Sequence, residues 1–103
     1  IIGRLELRVA GETYPFYMDD EMLGRRRWMK LMDILVPVIP VEDNIVFKAI
    51  LQRGVKEGKH DVEDIRGMVR GEKIDLEYLR WRVERIGGEG RVNPLLRKLG
   101  IPV

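Results

Sequence analysis

The chain has 103 residues and a formal net charge of +2, from 19 Lys and Arg against 17 Asp and Glu. A hydrophobic content of 45% supports one core, so the length bounds the chain to a single domain or part of one. With no cysteine, no serine and one histidine (His60), the composition excludes disulfides, thiolate or multi-histidine zinc sites and serine nucleophiles.

Charge is dense but nearly balanced, and the pI of about 9.1 comes from no long basic tail, so it points only weakly to nucleic acid. No apolar run reaches the roughly 20 residues of a membrane span, and nothing at the start has the pattern of a signal peptide. A cytoplasmic protein is expected. Because Ile1 stands where a Met would open a complete chain, the expectation is the C-terminal portion of something longer. Few labile polar residues beside many Arg, Lys and Glu suit a thermophile, although five methionines pull the other way.

Arg4 to Val9 alternates polar and apolar, which predicts a half-buried strand with Leu5, Leu7 and Val9 on one face. Ala10 to Thr13 reads as a turn, and Tyr14 to Tyr17 as a short partner strand marked as an edge or bulge by Pro15. Asp19-Asp20-Glu21 offers acids at a helix start. Met22 to Lys30 reads as weak helix or loop, and residues 34–39 as an edge strand broken by Pro37.

Pro40 ends that strand, and a helix is expected from Val41 to about Arg53. It is apolar nearly all round, apart from one stripe of Asn44, Lys48 and Gln52, so it predicts packing on several sides with the stripe facing a cleft or partner. After a basic link between Gly54 and Gly58, Asp61 opens a helix that ends at Gly71. Asp75 caps another, with Leu76, Leu79, Val83 and Ile86 inward and Gly87-Gly88 as its stop. Asn93-Pro94 is read as the start of a last short helix through Leu99. The expectation is an α+β fold: a small, mostly antiparallel sheet (1–40) followed by three to four helices (41–103) in one domain.

Each candidate site residue has a functional and a structural account. Lys48 can hold a phosphate as a point charge, or it can snorkel or pair with Asp43, Glu42 or another acid. Asp61 and Asp64 have the spacing of a capping box, which spacing favours, or they orient a cation or move a proton. Arg25-Arg26-Arg27, with Lys30, can grip phosphate or form a solvated run. Glu6 lies between Arg4 and Arg8, so it is either part of a salt-bridged face or a strand carboxylate able to bind Mg²⁺.

The series Pro40-Val41-Glu42-Asp43, Phe47-Lys48-Ala49, Arg53 and Lys59-His60-Asp61-Val62-Glu63-Asp64-Ile65 resembles the C-terminal signature of one nucleotidyltransferase group. This group includes abortive-infection toxin components and many archaeal proteins. Lys73 to Leu79 resembles its closing helix. The resemblance covers the second half of the chain well and the first strands loosely. It implies part of a DNA polymerase β-like fold in which NTP and Mg²⁺ or Mn²⁺ sit over a small sheet and a nucleotidyl group passes to an acceptor. Lys48, Arg53 and Lys59 would lie on the phosphate side, with Asp61 and Asp64 supporting, and Glu6 would match the third metal carboxylate. The family's Gly-Ser leading to Asp-x-Asp is missing from this sequence. The resemblance therefore implies that this pair lies upstream or that the chain is inactive. The alternative expectation is a non-catalytic α+β interaction or self-association module. It would form a homodimer through an unpaired sheet edge near Ile1, Ile2 and Leu5, with Lys48 in a structural ion pair.

Overall fold

Alternation over residues 4–9 and a two-residue turn build the first hairpin. The computed structural model describes residues 3–103. Strand β1 (Gly3–Val9) pairs antiparallel with β2 (Glu12–Met18), in a register that sets Leu7 opposite Tyr14 and Glu6 opposite Pro15. Ala10 and Gly11, both at positive φ, form the type I′ connection that matches strand twist. Leu7 and Phe16 are buried and Val9 packs beside them, as the alternation predicts. The readings made for Ile1, Ile2 and the side chains of Arg4 and Leu5 fall outside the described residues.

Asp19 then caps the short helix α1 (Asp20–Gly24), its Oδ1 accepting from the Met22 N–H at 3.0 Å. The stretch read as weak helix or loop divides here. After α1 the chain turns extended, and β3 (Arg27–Leu31) pairs antiparallel with β4 (Ile34–Val38). The two hairpins form separate two-stranded sheets, not one sheet. The β-branched run Ile34 to Val38 finds its partner in the residues just before it.

Four helices follow: α2 (Val41–Leu51), α3 (Asp61–Gly71), α4 (Leu76–Arg85) and α5 (Glu89–Lys98), with a 3-10 turn at Val55–Glu57. The α+β layout is as expected. Helix α2 is the hub, packing against α3, α4, α5 and β1. That is why it is apolar nearly all round, and Ile45, Val46, Ala49 and Ile50 have no exposed surface. It ends at Leu51 because Gln52 turns left-handed (φ 46°), with Arg91 of α5 donating to the carbonyls of Ile50 and Leu51.

Helix α5 begins at Glu89, four residues ahead of Asn93 in the expected Asn93-Pro94 start, and holds Pro94 internally. Gly88 sits at this start, where a Cβ would stand 3.0 Å from Ile50 Cδ1, so a larger residue would need the Ile50 side chain to give by a few tenths of an ångström. Burial of Val92 and Leu96 offsets the backbone bond that Pro94 cannot make. Among the described residues no helix is long and apolar enough to cross a membrane.

Candidate functional site

The lone lysine of α2 does find acids. Lys48 Nζ lies 2.9 Å from Asp64 Oδ2 and 3.6 Å from Asp61 Oδ1, both on the first turn of α3. Asp61 is 1% exposed and receives three further donors: the Arg53 backbone N–H at 2.7 Å, Arg53 Nε at 3.0 Å and Arg53 Nη2 at 3.3 Å. Burial pushes the Asp61 carboxyl up, but the Arg53 hydrogen bonds and the Lys48 charge outweigh it and hold the group below the usual aspartate value. Position and charge agree, because an acid in the first turn also meets the positive end of the helix dipole.

The capping box read from the Asp61–Asp64 spacing is not what forms. The N-cap position of α3 is His60, which makes no side-chain cap bond. Asp61 is the first helical residue, and it spends its carboxylate on Arg53 across the link. The structural result is a clasp that fastens the end of α2 to the start of α3.

Four of the six candidate residues, Lys48, Arg53, Asp61 and Asp64, therefore share one seam. Lys59 is exposed in the link beside it, where its backbone N–H donates to the Gly54 carbonyl. Glu6 is not in the seam. One residue before the buried Leu7, it faces away from the side of β1 that packs on α2, and Arg8 Nη2 lies 3.8 Å from it. The described residues hold no group of three or more His, Asp or Glu placed to ligate a metal ion. Asp61 is saturated by Arg53 and Lys48, and Asp64 faces Lys48, so these residues do not fit Mg²⁺ or Mn²⁺.

The arginine run is also engaged internally. Arg25 Nη1 donates to Asp75 Oδ2 at 2.9 Å and its guanidinium lies 4.1 Å from the Tyr78 ring centre. Arg26 donates to the Leu23 carbonyl, and Arg27 to Glu72.

Sequence reasoning missed the most buried polar cluster. Arg82 on α4 is fully buried and binds two acids: Nε donates to Asp43 Oδ1 at 2.7 Å, and Nη1 and Nη2 donate to Asp19 at 3.0 and 2.9 Å. The Tyr78 hydroxyl donates to Asp43 Oδ2 at 2.5 Å and accepts from Arg82 Nη2 at 3.1 Å. The hydrogen bond from Arg82 holds the Asp19 carboxyl below its ordinary value against the opposing effect of burial. Burial raises Asp43, opposed by Tyr78 and Arg82, and burial likewise raises the Tyr78 hydroxyl. Arg82 is pushed down by burial but raised overall by its hydrogen bonds to Asp19 and Tyr78 and the Asp43 charge. A signal was available: Arg82 lies three after Leu79 and four before Ile86, so it falls on the inward stripe of α4.

The remaining outlying feature is apolar. Among the described residues, five of the six exposed large hydrophobics lie in the second hairpin: Trp28 (56% exposed), Leu31 (62%), Met32 (89%), Ile34 (64%) and Leu35 (65%). The root of that hairpin bounds a recess of about 110 Å³ with Met22 and Leu23 of α1. Its outer part contacts mainly itself. No protein-family model, curated protein or solved structure matches this chain.

Proposed function

We propose that the chain is a non-catalytic α+β interaction module in which a helical body displays the β3–β4 hairpin to another polypeptide. One observation carries this reading: the hairpin exposes Trp28, Leu31, Met32, Ile34 and Leu35 together. Apolar surface gathered at one place marks an interaction site, whereas single exposed leucines are ordinary. A two-stranded hairpin is also marginal in water unless something packs on it.

Its turn increases that need. Met32 (φ 49°) and Asp33 (φ 67°) make the two-residue connection, and a left-handed methionine costs roughly 1 kcal/mol. In this reading Lys48, Arg53, Asp61 and Asp64 are structural ion pairs that keep the body rigid.

A photo-crosslinking residue at Leu35, with Glu84 on α4 as control site, tests the reading in expressing cells. A discrete adduct from position 35 and none from 84 is expected. No adduct, or equal adducts at both sites, overturns it.

A second reading rests on the seam. Lys48, Arg53, Asp61 and Asp64 come together in space, and under the nucleotidyltransferase resemblance Lys48, Arg53 and Lys59 would lie on the phosphate side with Asp61 and Asp64 supporting. It ranks second because both cations are already held by carboxylates. Calorimetric titration with ATP tests it: binding that disappears in Lys48→Ala supports it, and no binding removes it.

A further inference from the structure

We propose that the occupant of the hairpin is a second copy of this chain. The two copies join β3 to β3 in antiparallel register about a two-fold axis at Met29, making a four-stranded sheet ordered β4-β3-β3-β4. The proposal rests on the interaction reading above and supplies its partner.

The edges select β3. A two-stranded sheet has two open edges, each a row of backbone donors and acceptors ready to pair. On β4 the row contains Pro37, which has no N–H to donate. Strand β3, Arg-Trp-Met-Lys-Leu, has no proline, and its outer edge is uninterrupted.

Charge then permits the same strand to pair with itself. Antiparallel pairing centred on Met29 sets Trp28 opposite Lys30 of the second copy, and Arg27 opposite Leu31 of the second copy. Two-fold symmetry repeats each pair. No like charges meet directly. Each Trp28–Lys30 pair sets an ammonium beside an indole face, and Trp28 already attracts one cation within its own chain, with Arg26 5.5 Å from its ring centre.

The neighbouring rows continue across the join. Within one copy Trp28 stands opposite Pro37, Lys30 opposite Leu35, and Leu31 opposite Ile34. One row of the joined sheet therefore runs Pro37, Trp28, Lys30, Leu35, and a row on the other face runs Ile34, Leu31, Arg27, Val38. The apolar stems of Lys30 and Arg27 cover exposed apolar neighbours on both sides.

The first hairpin gives the opposite result under the same test. Its uninterrupted edge is β1, because β2 contains Pro15. Self-pairing of β1 about its central residue sets Glu6 against Glu6 and Arg4 against Arg8 of the second copy. Like charges directly opposite are destabilising. Paired about its own central residue, β3 avoids the like-charge contacts that β1 meets.

Sedimentation equilibrium of the native chain, with three variants, tests the proposal. A mass of twice 12.0 kDa is expected at high micromolar concentration. Trp28→Lys puts two lysines opposite each other and weakens association by about tenfold or more. The double variant W28K/K30W exchanges the partners, restores the Trp–Lys pairs in the same register and recovers the dimer. Met29→Cys supplies the sole cysteine of the chain at the axis, and mild oxidant closes it into a covalent dimer. A native mass of 12.0 kDa overturns the proposal. So does a dimer indifferent to Trp28→Lys, or one in which Met29→Cys fails to cross-link. A monomer whose Leu35 site still cross-links to one different protein overturns self-pairing and leaves the interaction reading standing.

Discussion

The helical body and the β3–β4 hairpin solve the same problem in opposite ways. In the body, α2 touches three helices and β1, and the buried charged groups find partners: Arg82 with Asp43 and Asp19, Asp61 with Arg53 and Lys48, and Glu42 accepting from the Asp75 backbone N–H. Among the described residues, no buried side-chain nitrogen or oxygen lacks a partner. The hairpin is richer in apolar residues, eight of the twelve from Arg27 to Val38, yet it leaves Trp28, Leu31, Met32, Ile34 and Leu35 in water and closes its turn with a left-handed methionine. The body is finished within the chain and the hairpin is not. Incomplete burial in a fold otherwise complete is what points to a partner.

The sharpest way to break this contrast is to damage the body at Arg82. Arg82→Ala leaves Asp43 as a buried, uncompensated charge and should cost about 3–5 kcal/mol. That is a large share of the total for a small domain. Urea unfolding measures it. Arg82→Lys keeps the charge but cannot reach Asp43 and Asp19 together, so it should recover only part of the loss. A loss below about 1 kcal/mol for Arg82→Ala would mean that the cluster is not a structural anchor.

A paired truncation compares the regions directly. Leu79→Ala, in the core, should cost about 2–5 kcal/mol. Leu35→Ala, in the hairpin, should change the stability of the dilute chain by less than about 0.5 kcal/mol. Equal losses in thermal or denaturant unfolding would abolish the distinction between finished and unfinished regions.

Acid should act on the body through Asp19 and Asp61, whose folded values lie below the ordinary aspartate pKa of about 3.9. A depressed folded pKa gives stability that is present above the unfolded value and lost as pH falls through the folded value. Asp43 works the other way, since its folded value is raised and its protonation is easier in the native state. The urea midpoint should therefore fall as pH drops below about 4, and Asp61→Asn should flatten the fall. An unchanged acid slope in Asp61→Asn would remove Asp61 from the clasp.

The smallest effect concerns the hairpin turn. Replacing Met32-Asp33 with Asn-Gly supplies residues suited to positive φ at both positions. Amide exchange within β3 and β4 should slow several-fold, with little change in the unfolding midpoint of the helices. A global midpoint shift as large as the local one would show that hairpin and body unfold together.

Much of this division is legible in the sequence. Alternation over 4–9 gives β1, Asp19 and Asp75 mark caps that form, and the all-round apolar pattern of 41–51 gives the central helix. The separation of the hairpins is not legible, because a short β-branched run shows that it needs a partner strand without showing which one. Nor is the true start of α5, which begins at Glu89 and carries Pro94 inside it while Val92 and Leu96 pack into the core.

The candidate site divides in the same way. Lys48 is conspicuous as a cation in an apolar helix, but the acids named for it, Asp43 and Glu42, are engaged by Arg82 and by the Asp75 backbone N–H, and it pairs with Asp64 and Asp61 instead. Asp43 looks like an ordinary first-turn acid, and Arg82 like one of several arginines near a helix end. They are partners only because α2 and α4 bring residues 39 apart in sequence to 2.7 Å.

The sequence by itself determined many of the elements: the alternating strand β1, the extents of α2, α3 and α4, and which helical faces are apolar. These follow from local sterics, capping and periodicity, each contained within a few residues. The tertiary structure alone decided which charges neutralise one another and which apolar surface stays in water. Both depend on the distance between segments remote in sequence, and at close range burial turns a common surface residue such as Arg82 into one that must be paired.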